Sequence, residues 1–128
     1  MKLRFYWSEQ FGRLEPACES DAVNRDGVSV LSSLLTDTGG LAYLGTLPWL
    51  EEGLRRLDTV KRGEAQSLRW GREDWGAHFT ANRVEVYSLS DESYAEVLSL
   101  EAFQTALRAW IDFVQSPPDG KSERILVV

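Results

Sequence analysis

The chain has 128 residues, a single cysteine, and 20 acidic against 14 basic residues, giving a net charge of −6. A chain of this length buries about two-thirds of the surface exposed when unfolded, so one domain with no covalent staple is expected. The lone thiol, Cys18, excludes an internal disulfide and points to a reducing compartment. The acidic excess argues against a nucleic-acid partner, because phosphate binding relies on Lys and Arg displacing counterions. The apolar run in MKLRFYWSEQ is broken at Arg4 and ends at Ser8, too short for a signal-peptide core. No run approaches the roughly 18 apolar residues of a membrane span. A soluble, cytoplasmic protein with no membrane contact is expected.

Lys2–Trp7 alternates Leu3, Phe5 and Trp7 with Lys2, Arg4 and Tyr6, the period of a half-buried strand. Ser8–Arg25 is polar, contains Gly12 and Pro16 and keeps no period, so it reads as a loop or an unmarked strand. Gly27–Leu35 suits a short helix through Val28, Leu31, Leu34 and Leu35, although Val28 and Val30 also suit a strand. The glycines of Asp37–Gly40 end that segment. Thr46–Arg62 is a helix: Thr46 is a candidate N-cap, Pro48 falls in the first turn, and Gly63 follows as a C-cap. Its apolar stripe is Leu47, Leu50, Leu54, Leu57 and Val60, and Gly53 within it calls for close packing to offset about 1 kcal/mol of lost propensity.

Glu64–Leu89 reads as three strands. The first is Ala65–Trp70, followed by the turn GREDWG, a strand with Trp75 and Phe79 facing the core, a tight turn at Asn82–Arg83, and a strand with Val84 and Val86 facing the core. The opposite face collects His78, Thr80, Glu85 and Tyr87. Ser90–Tyr94 is a polar connection to a fourth strand, Ala95–Leu98, which runs into a helix capped by Ser99 and stopped by Pro117. Phe103, Ala106, Leu107, Trp110, Ile111 and Val114 form one wide apolar stripe on that helix, Glu101–Gln115. The expected fold is α+β, an antiparallel meander of four or more strands packed against this C-terminal helix and the central one. The closing ILVV is an edge strand or an interface segment.

Chemistry is thinly marked. One histidine and one cysteine, sixty residues apart, cannot assemble a structural zinc site, and neither DTGG nor DES has the alternating ligands of a calcium loop. No phosphate-cradling glycine motif occurs, and Glu51–Glu52 and Asp91–Glu92 are consecutive pairs whose side chains diverge. No metal, cofactor or catalytic group is expected. Charge is more informative, since residues 1–63 carry eight bases and nine acids whereas 64–128 carry six bases and eleven acids. Between Val84 and Asp112, Arg108 is the only base. Such a surface either attracts a cationic partner or simply keeps the protein in solution.

The meander WGAHFTANRVEVYSL, the helix start SL–E–F and the helix ALRAWIDFV, spanning Gly71–Gln115, resemble immunity proteins of bacterial contact-dependent inhibition and related polymorphic-toxin systems. The resemblance carries no catalytic or binding residue with it. It implies a cytoplasmic inhibitor that binds a cognate protein toxin, often a cationic nuclease, and blocks its active site or substrate access. Glu73, Asp74, Trp75, Glu85, Tyr87, Asp91, Glu92, Tyr94 and Glu96 are then the candidate partner surface, acidic groups interleaved with aromatic anchors. The competing expectation is a small-ligand protein or enzyme with a pocket around His78, Glu85 and Tyr87.

Overall fold

The computed structural model describes the whole chain, Met1–Val128, as an α+β fold with two antiparallel sheets. Strands β1 (Lys2–Gln10) and β2 (Arg13–Ser20) form a hairpin, and β7 (Glu123–Val127) pairs with the other side of β1. The second sheet is a meander of β3 (Ser67–Gly71), β4 (Trp75–Thr80), β5 (Arg83–Ser88) and β6 (Asp91–Ser99), in that order. Helices α1 (Val30–Leu35), α2 (Leu47–Lys61) and α3 (Leu100–Gln115) supply the rest of the core.

Helix α3 serves both sheets rather than the meander alone. Its first half sets Phe103 against Phe79 of β4, ring centroids 5.5 Å apart. Its second half sets Trp110 edge-on to Phe5, at 5.2 Å, and stacks Phe113 on Trp7, at 5.1 Å. Phe113 is buried and Ile111 only half-buried, so the stripe is rotated slightly toward β1. Ser99 caps the helix by accepting the Ala102 amide.

Two stretches that show no clear period are strands, one of them the unmarked strand left open for Ser8–Arg25. Residues 13–20 form β2, which the sequence hides because it is an edge strand, half-buried along most of its length, with no clean alternation. Pro16 is tolerated there, since an edge strand has one side free of ladder bonds. The β1–β2 turn is Phe11–Gly12, with φ of 51° and 77°, a turn usually marked by Asn-Gly. Strand β6 begins at Asp91, so the connection before it shrinks to Leu89–Ser90, and a bulge at Tyr87/Ser88 absorbs the irregularity. The preceding turn is Ala81–Asn82, one residue earlier than its sequence suggested.

Helix α2 ends in a Schellman pattern, Glu64 N–H to Thr59 O and Gly63 N–H to Val60 O, with Gly63 at φ 78°. At its start Thr46 does not cap; its hydroxyl donates back to the Tyr43 carbonyl at 2.5 Å. Gly53 faces the indole of Trp70, and a Cβ there would lie 2.6–2.8 Å from the ring. Alanine favours a helix by about 1 kcal/mol over glycine, but overpacking of this kind costs about 1–3 kcal/mol. Gly53→Ala is therefore expected to destabilise the protein, lowering the urea midpoint at unchanged slope. A gain in stability would show that Trp70 does not rest on α2.

Candidate functional site

The β3–β4 turn, residues 72–74, is held by a clasp. The Arg72 side chain is buried and reaches inward to the backbone carbonyls of Leu34 and Asp37. The Asp37 carboxylate reaches the other way, accepting the amides of Asp74 at 2.8 Å and Trp75 at 3.2 Å through Oδ2 and that of Gly39 at 3.2 Å through Oδ1. The guanidinium lies over the rings of both Trp49 and Trp70, 5.3 and 5.4 Å from their centroids. Burial pushes its pKa down to about 10 while Asp37 pulls it back up, so it is charged at neutral pH. Its Nε finds no acceptor, and the charge is satisfied by carbonyls and rings.

The clasp fixes Glu73 and Asp74 at the end of the meander, both exposed. The Leu89 amide donates to the Asp74 carbonyl at 3.0 Å, which ties the β5–β6 turn to the same end and brings Asp91 and Glu92 alongside. Trp75 and Tyr94 are half-buried with ring centroids 6.2 Å apart, and the Tyr94 hydroxyl donates to Asp26 at 3.3 Å. Glu73, Asp74, Trp75, Asp91, Glu92 and Tyr94 are thus gathered at one end. Arg69 bonds both Glu92, at 3.2 Å, and the Tyr87 hydroxyl, at 2.8 Å.

The other three candidates sit differently. Tyr87 is on the outer sheet face as expected, but its ring is buried, lying over Gly76, where a Cβ would come within 3.2 Å of it. Glu85 lies on the same face, directly across from His78 in the β4–β5 register. Glu96 turns to the inner face, half-buried, and accepts the Leu31 amide at 3.1 Å. His78, Glu85 and Tyr87 share an open face and line none of the five main clefts. A cleft of about 330 Å³ lies instead between β2, the 36–46 segment and α3, with Leu35, Tyr43, Trp110 and Val114 in its lining.

Sequence reading missed the organising pair. Arg72 passed for one more charge in a polar turn, and Asp37 for a turn former; only its position before two glycines hinted at a fixed loop. Cys18 lies on β2, on the sheet that does not contain His78, and its sulfur contacts the Ser32 hydroxyl at 3.3 Å. No group of three or more His, Cys, Asp or Glu converges as a metal site, and no helix is long and apolar enough to cross a membrane. Compared with family models, curated proteins and solved structures, the chain matches none.

Two expectations follow. Asp37→Ala strips the acceptor from the Asp74 and Trp75 amides, so a loss of about 1–3 kcal/mol is expected. Hydrogen exchange at those two amides should accelerate beyond the global change, and unchanged exchange there would refute the clasp. Burial pushes the Cys18 thiol from 9.0 up to about 11. At pH 8 that leaves on the order of a hundredfold less thiolate than an ordinary cysteine, so alkylation should be slowed by a similar factor. Reaction at the rate of a peptide thiol would mean that Cys18 is not shielded.

Proposed function

We propose that this protein is a stoichiometric inhibitor, an immunity protein, that binds a cationic protein toxin through the acidic end of its meander. The observation that carries the reading is the juxtaposition of Glu73, Asp74 and Asp91, exposed carboxylates that take part in none of the chain's ion pairs. The nearby bases do not cancel them, since Arg69 is engaged by Glu92 and Arg72 is buried in the clasp. A negative field therefore emerges from one rigid end of the molecule, beside the half-buried rings of Trp75 and Tyr94.

In this reading the protein performs no chemistry. Long-range attraction brings the toxin in, and the aromatic pair together with the exposed side chain of Leu89 forms the short-range contact that sets residence time. Occupying the toxin's cationic substrate channel blocks the substrate. The setting is the cytoplasm of the cell that makes both proteins. Because the turns are already fixed by the clasp, little ordering entropy opposes association.

The test needs the cognate toxin, to be sought as the product of a secreted-toxin reading frame immediately upstream of this chain's own. Glu73→Gln, Asp74→Asn and Asp91→Asn combined should slow association several-fold at low salt and change dissociation less. Raising ionic strength past 0.1 M, where charges are screened beyond about 10 Å, should erase the difference. An association rate indifferent to both salt and the triple change would sink this reading.

A further inference from the structure

The free edge of β6 borders a small slot whose composition is unlike the other clefts. Its volume is about 170 Å³, on the order of one long side chain, and its walls are mainly apolar: Val23, Val28, Val30 and Ala95. Val30 is buried, so it marks the deep side, while Val23 is exposed at the rim. The one charged group in the lining is Glu96. Its reach to the Leu31 amide, next to Val30, puts the carboxylate at the deep side too.

The wall opposite β6 is a preformed loop. The Asn24 side chain accepts the amides of Asp26 at 2.9 Å and Val28 at 3.1 Å, and the Asn24 amide donates to the Val28 carbonyl at 2.9 Å. The slot is therefore a fixed feature of the fold rather than a gap between mobile side chains. Only one oxygen of Glu96 is used; the second accepts no protein hydrogen bond, and no base of this chain acts on the carboxylate. Burial pushes the carboxyl up, and the Leu31 amide only partly offsets that. Arg25, the nearest base in the sequence, is exposed.

We propose that this slot receives one Lys or Arg side chain of a protein partner, its aliphatic stem against Val23, Val28 and Val30 and its cationic head on the free oxygen of Glu96. Long basic side chains bury their methylenes on apolar surface while seeking an acceptor for the head group, which is the arrangement offered here. A charge-assisted hydrogen bond in a half-buried site is worth more than one at the exposed acidic end, where water competes. The slot thus selects among cationic partners that the acidic end attracts. The proposal rests on the reading of the partner as a cationic protein.

The probe is n-butylguanidinium, which reproduces the end of an arginine, titrated into the intact protein and followed by NMR. The expected result is saturable shifts confined to the methyls of Val23, Val28, Val30 and Ala95. Glu96→Gln should weaken this at least tenfold, and the amide oxygen it retains still accepts from Leu31, so the fold is kept. Val23→Phe, at the exposed rim, narrows the mouth with the carboxylate intact and should weaken binding as well. The neutral n-pentanol should produce no saturable shift. Equal binding by n-pentanol, unweakened binding by Glu96→Gln, or no saturable shift at all would overturn the proposal. Those outcomes leave salt-dependent association at Glu73, Asp74 and Asp91 untouched, so the two claims fail separately.

Discussion

A single buried cation, the Arg72 guanidinium, holds the acidic turn end of this molecule in place. It lies over the rings of Trp49 and Trp70, which in turn lie close to Gly39 and Gly53 respectively. The two glycines admit the two indoles, since a Cβ would come within 2.9 Å of Trp49 at position 39 and 2.6 Å of Trp70 at position 53. Withdrawing a guanidinium from water costs several kcal/mol, offset here by two carbonyls, two aromatic faces and the nearby Asp37 carboxylate. A buried charge held in this way adds little net stability, but it ties the turn to the carbonyls of Leu34 and Asp37. Asp37 completes it by capturing the turn's own amides.

The two sheets meet through α3, and this explains why one end of the meander is free for other uses. Phe103 anchors the helix to β4, while Trp110 and Phe113 anchor it to β1. The inner face of the meander is thus consumed by packing against the helices, and its outer face mixes polar groups with the buried Tyr87 ring and the exposed Val97. What remains exposed and concentrated is the turn end, where Glu73, Asp74 and Asp91 have no cationic neighbour free to neutralise them. Placing uncompensated charge there raises encounter rates with a basic protein and costs little in folding, because water solvates each carboxylate. The slot at Glu96 lies along the same strand, beyond Tyr94, so a partner reaching both would lie along the β6 edge.

Much of this was legible from the residues alone. The period of 3.6 in α2 and α3 and the alternation in β4 and β5 placed the α+β fold, because those elements each bury one face and leave the other wet. Strand β2 was not legible, because an edge strand half-buried along most of its length shows no alternation, and its turn uses Phe11 at positive φ instead of a recognisable Asn-Gly. Tyr87 fell on the expected face, yet its burial depends on Gly76 and Arg69, partners brought in by cross-strand register. Arg72 was a charge in a polar turn and Glu96 a charge in a short strand, and nothing local distinguishes a charge that folds inward from one that is solvated. The acidic candidates at the turn end stand out because charge density is a property of sequence; their convergence depends on a clasp between residues 35 apart or more.

The most direct measurement is a neutralisation titration, adding this protein to the cognate toxin proposed for it and following the toxin's own activity. The account predicts a linear fall to complete inhibition with an endpoint at one protein per toxin, with no turnover of any substrate by the complex. Inhibition that requires large excess, or an endpoint other than one protein per toxin, would contradict it.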